Sequence, residues 1–163
     1  MSRPLKLILV AVLFAGAGVL SSLSMNTDFT RTFLGGSAAV LPFAILAAIL
    51  CVRPAWLMPV IAILVCAVWA GAFWLAVALD HPAPHLNMYA AGLVGGSGVA
   101  AATAIGCRKL IRLRPLLLMA AVGAIAALPF QTPVFTQSDS EMTWAFAIWQ
   151  CAVGTLLYAL SGR

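Results

Sequence analysis

The sequence predicts an all-α fold, a polytopic bundle of transmembrane helices, and three observations carry that reading. Of 163 residues, 64% are hydrophobic and 8% are charged, whereas soluble domains hold about a quarter charged residues to keep their surface wet. The apolar residues fall into six runs, most of them close to the roughly 20 residues that span a hydrocarbon core about 30 Å thick. The charged residues lie between or at the ends of those runs. Lipid, rather than water, is then the solvent for most of the outer surface.

The six expected spans are residues 4–23, 32–52, 55–79, 86–107, 116–130 and 142–160, in one transmembrane domain covering 1–163. The first starts beside Arg3, with Lys6 long enough to reach the headgroups. Arg3 and Lys6, an apolar run and Ser22-Leu23-Ser24 also have the form of a cleavable signal peptide, which would leave five spans. The second opens at Gly35-Gly36-Ser37 and is interrupted by Pro42, where the missing N–H predicts a kink. A tight turn at Arg53-Pro54 leads into the third. The fourth is rich in glycine and alanine. Pro115 precedes the fifth, which at 15 residues is short for a crossing and can start earlier if Arg112 and Arg114 snorkel. The last polar loop, 131–141, leads into the sixth.

Charge placement orients the chain. With the N-terminus inside, the cytoplasmic segments hold Arg3, Lys6, Arg53, Arg108, Lys109, Arg112, Arg114 and Arg163, while the outer loops hold Arg31 alone among nine basic residues. That is the pattern of the positive-inside rule. It places both termini in the cytoplasm, with the chain in a cell inner (plasma) membrane. Asp28, Asp80, Asp139, Glu141, His81 and His85 all fall on the outer side. Phe73, Trp74, Tyr89, Phe130 and Trp144 would line the outer interface, with Trp56 and Tyr158 at the inner one. Trp69 and Trp149 fall deeper, and each indole N–H there needs a partner.

The fourth span is the expected hub. Gly92, Gly96, Ala100 and Ala104 recur every four residues, on one helical face that a neighbouring backbone can approach closely. Gly95-Gly96-Ser97-Gly98 follows no strand and lacks the lysine of a phosphate-binding loop, so a nucleotide reading fails. Polar residues at depth are few. Ser97 and Gln150 could face one another along a solute path, or each could make an ordinary interhelical hydrogen bond. The basic cluster Arg108, Lys109, Arg112 and Arg114 is a topology signal and a candidate contact for anionic lipid headgroups. No aromatic residues interleave with it, which argues against nucleic acid as a partner.

Chemistry has little to use. No ionisable side chain falls deep in a span, whereas proton-coupled carriers and pumps keep such groups at depth. Cys51, Cys66, Cys107 and Cys151 form no C-x-x-C pair and read as small packing residues. Asp80, His81 and His85 are the one local set resembling metal ligands. Pro82 and Pro84 forbid the regular helix that would align the histidines, so ordinary loop residues are the plainer reading. No catalytic residue and no cofactor is expected. Two functions fit: a small channel or carrier for a small neutral or weakly polar solute, or a non-catalytic accessory subunit of a larger membrane complex. Its partners are the lipid bilayer and either further copies of this chain or other membrane subunits.

Overall fold

The computed structural model describes residues 2–25, 40–131 and 139–162, with the side chains of 24, 25 and 139–141 excepted. The expected outer loop around Asp28 and Arg31, the Gly35-Gly36-Ser37 opening, residues 132–138 and Arg163 lie outside the described residues. Six α-helices follow one another: α1 (Arg3–Met25), α2 (Leu41–Cys51), α3 (Met58–Leu79), α4 (Asn87–Ala104), α5 (Leu113–Ala126) and α6 (Asp139–Ser161). Short 3₁₀ turns at Ala55–Leu57, Arg108–Ile111 and Leu128–Gln131 join or extend them. No strand occurs among the described residues.

Four segments, not the expected six, are long and apolar enough to cross a membrane among the described residues: Arg3–Leu23, Ala55–Leu79, Leu113–Gln131 and Met142–Ser161. They mark a membrane protein. The other two expected spans differ for separate reasons. Over the described part of span 32–52, α2 has only 11 residues, about 16 Å of helix. The fourth span yields α4, 18 residues long, but Asn87, Ser97 and its glycines dilute its apolar character. Burial accounts for that composition, because α4 packs between α3 and α5 rather than chiefly against lipid.

Proline placement also differs from expectation. Pro42 lies in the first turn of α2, where an N–H would have no intrahelical partner, so it starts a helix instead of kinking one. Pro59 does the same in α3. The fifth helix begins at Leu113, ahead of Pro115, which the orphan donors of a first turn permit. The 3₁₀ turn then carries it on to Gln131, long enough to cross.

Helices α1 and α6 run antiparallel in close contact. Phe14 packs on Gly154, Gly18 meets the Ala147 backbone, and Ser22 meets Thr143. A Cβ at Gly18 would stand 2.6 Å from the Ala147 Cα, so that approach requires glycine. Helices α4 and α5 are also antiparallel, Gly92 facing Gly123 and Gly96 facing the Met119 carbonyl. Phe14, Phe43 and Trp149 link α1, α2 and α6, with ring centroids 5.3 and 5.9 Å apart. Outward, Ile8, Val12, Ile63, Leu117 and Ile125 are exposed, as a lipid-facing surface requires. Trp56, Trp74 and Trp144 are exposed as well.

These pairings gather described basic residues of α1 and of the segment before α5 at one end of the bundle. Lys109 lies against Gly162, Gly106 against Val52 and Ile61, and the Cys107 thiol 3.8 Å from the Ser161 carbonyl. Gly162 has φ +72°, the left-handed conformation that ends a helix and favours glycine. The antiparallel α1–α6 pairing puts the start of α1, with Arg3 and Lys6, at this same end. Val52, Ile61, Leu110, Met119 and Leu157 fill the interior above it, each with essentially no exposed surface.

Candidate functional site

The opposite half of the bundle is not filled. Helix α4 is held to α5 through backbone contact at Gly92, Gly96 and Gly123, so its position is set without large side chains. Its other face, at Gly95, meets the Trp149 ring 3.2 Å from where a Cβ would stand. Helices α3 and α6 meet there through aromatic side chains: the Trp69 ring lies tilted at 5.4 Å from Phe146 and edge-on at 5.3 Å from Trp149. Rings this large, set against glycines this small, hold the helices apart and leave space between them.

That space is a cavity of about 260 Å³. Its walls are Trp69 and Phe73 of α3, Phe130 beyond α5, and Phe146 and Trp149 of α6, with Gly92 and Gly95 of α4 behind. The lining is almost wholly apolar. An apolar cavity of about 150 Å³ stays dry and admits benzene, so this one has room for an aromatic ring with a small substituent. Trp149 donates its indole N–H to the Gly123 carbonyl at 3.1 Å, fastening α6 to the α4–α5 crossing. The Trp69 N–H is buried with no hydrogen-bond partner among the described residues.

Polar groups border the cavity at the end where α3 turns into α4. Asp80 and Asn87 both line it. Asn87, 6% exposed, donates to the Asp80 carboxylate at 3.1 Å. Its own carbonyl accepts from the Gln131 amide at 2.7 Å and from the Met88 N–H at 2.6 Å. Gln131 lies 3.4 Å from the Pro84 carbonyl as well. One amide therefore ties the α3–α4 loop to the segment that follows α5. Asp80 itself is exposed, so the cavity reaches the surface beside a carboxylate.

The residues singled out by sequence are distributed as follows. Gly92 and Gly96 lie at the α4–α5 crossing, and Gly92 also lines the cavity; Ala100 is fully buried. Ser97 and Gln150 are not brought together. The Ser97 hydroxyl donates to the Leu93 carbonyl one turn back at 2.8 Å, the usual choice of a helical serine. Gln150 instead donates to Ser21 of α1 at 2.8 Å, and its carbonyl oxygen is buried without a partner among the described residues. His81 and His85 are exposed, and no group of three His, Cys, Asp or Glu side chains gathers among the described residues. Asp80 engages Asn87 rather than a histidine partner. Arg108 and Lys109 lie in the 3₁₀ turn before α5, with Arg112 and Arg114 at its start.

Sequence reading missed Asn87 and Gln131, the polar pair beside the cavity. Both stand at span ends, where a polar residue reads as ordinary loop chemistry, and a separation of 44 positions hides the contact. The aromatic residues were visible, but only as interface and packing residues. Comparison of the chain with protein families, with curated proteins and with solved structures finds no match.

Proposed function

We propose that this chain is a small multi-pass membrane carrier that binds a solute with an apolar body in the cavity between α3, α4 and α6. The cavity carries the reading: about 260 Å³ walled by five aromatic residues and bordered by Asp80 and the Asn87 amide at one end. Such a site takes a small molecule with its apolar body among the rings and its polar group toward Asp80 and Asn87. Six crossings are proposed, the four longer helices with α4 and with the expected span 32–52, of which α2 is the described part. The gathering of basic residues at one end favours a cytoplasmic location for that end and for both termini, and the inner membrane as the site of action. The bilayer is the surrounding partner, and Arg108, Lys109, Arg112 and Arg114 meet its headgroups.

The test is binding of 2-phenylethanol to the protein in lipid nanodiscs, followed by tryptophan emission, since Trp69 and Trp149 wall the cavity. A saturable change is expected, lost in Ala91→Phe, which fills the cavity from α4. A linear, partition-like change that is the same in both proteins would sink the proposal. A second reading, as an accessory subunit of a larger complex, is favoured by the filled half around Leu110 and Met119, which gives a solute no passage. Native mass of the gently extracted protein separates the two: a stoichiometric foreign subunit supports the second reading, and this chain alone supports the carrier.

A further inference from the structure

We infer that the solute taken by the cavity is a monovalent organic cation with one aromatic or similarly bulky apolar body. This rests on the proposed binding role of the cavity and specifies its ligand. The first support is charge. Among the described residues, Asp80 is the one charged side chain lining the cavity, and no Lys, Arg or His lines it. Among the described residues Asp80 has no ion-pair partner; its carboxylate is held by the Asn87 amide. Arg3, Lys6, Arg108, Lys109, Arg112 and Arg114 lie at the far end of the bundle, so none of these neutralises it.

The second support is the walls. Trp69, Phe73, Phe130, Phe146 and Trp149 present rings whose faces attract a cation, tryptophan most strongly, and the attraction grows as water is removed. A carboxylate at the border of an aromatic enclosure supplies both attractions a substituted ammonium group uses. Volume sets the size: the cavity exceeds one that admits benzene, leaving space for a ring and a short ammonium-bearing chain.

The third support is physical necessity. A small apolar neutral solute dissolves in the bilayer and needs no protein to cross it. A charge in hydrocarbon is costly, so a fixed organic cation is the case in which a largely apolar cavity serves transport. The sequence expected a neutral solute because no ionisable group falls at depth. Asp80 stands at the end of α3 instead, and the cavity extends to it.

The experiment compares (2-phenylethyl)trimethylammonium with 2-phenylethanol, which has the same body without charge, binding to the protein in zwitterionic-lipid nanodiscs. The cation is expected to bind about tenfold more tightly, from one exposed carboxylate plus ring contacts. Asp80→Asn should lower the cation's affinity about threefold, and Asp80→Glu should restore most of it. Raising salt from low to about 0.5 M should weaken binding of the cation to wild-type protein and leave the alcohol's binding as it was. This arm needs no variant to fold. Equal binding of the two ligands overturns the cation assignment while leaving the cavity as a binding site, and a preference that survives both Asp80→Asn and salt overturns the part given to Asp80. Failure of both ligands to bind removes the cavity reading and this inference together.

Discussion

The two halves of the bundle solve the same packing problem differently. At the basic end, Val52, Ile61, Leu110, Met119 and Leu157 fill the space between helices with aliphatic side chains, all without exposed surface. At the other end, aromatic residues surround a space they do not fill, and an Asp80–Asn87–Gln131 chain of hydrogen bonds borders it. The α4–α5 crossing at Gly92, Gly96 and Gly123 lies between the two and belongs to both. Interhelical association in lipid gains little from apolar burial and depends on close packing. The filled half therefore carries stability, and the aromatic half is free to spend space on a ligand.

The glycine crossing is where this division breaks most easily. Gly96→Leu puts a side chain into the Met119 carbonyl, a backbone atom that cannot turn aside. The helices must separate, at a cost of about 3 kcal/mol or more, and the yield of folded protein should fall sharply. Gly16 and Gly71 have nothing within 4 Å of a Cβ. Gly16→Leu and Gly71→Leu should leave the yield of monodisperse protein close to wild type. If Gly96→Leu behaves like those two, the crossing does not organise the bundle.

Truncation should then separate the halves. Leu110→Ala empties a site with no room to relax and should cost roughly 2–5 kcal/mol. Phe73→Ala only enlarges a space already present and should cost about 1 kcal/mol. Denaturant titration of the two variants in the same detergent measures the difference. Equal losses would mean the aromatic half is as tightly packed as the other.

Much of this was legible in the sequence, for reasons that also mark the limit. Residues 55–79 read as a span because an uninterrupted apolar run admits no other structure in lipid, and Ala55–Leu79 is what the chain forms. The four-residue spacing of Gly92 and Gly96 marks a close face, but spacing within one helix does not say which neighbour fills it. That neighbour is α5, through Met119 and Gly123. Pro42 misled because a proline inside an apolar run looks like a kink, while a proline in a first turn looks the same until the helix start is known. The cavity had no sequence signal. Its walls come from α3, α4, α6 and the turn after α5, and empty space is a property of how these meet.

The smallest expected effect tests the seam that joins the halves along α1 and α6. Ser21 and Gln150 lie 129 residues apart, both without exposed surface, and share a 2.8 Å hydrogen bond. Ser21 also returns its hydroxyl to the Ala17 carbonyl at 2.9 Å, as Gln150 keeps one oxygen unpartnered. An interhelical bond in a membrane contributes about 0.6 kcal/mol on average, and an unsatisfied buried acceptor costs more than that. Ser21→Ala removes the bond and leaves the Gln150 amide stranded as well, so it should destabilise by about 1 kcal/mol. Gln150→Leu discards the bond and the stranded oxygen together, so its stability should match or slightly exceed that of wild type. The order of these two variants is the informative result. If Gln150→Leu is the more damaging, the amide is fully satisfied in the membrane, through a group such as a bound water that bridges its oxygen, and the α1–α6 seam is held by polar contact rather than by Phe14 seated on Gly154.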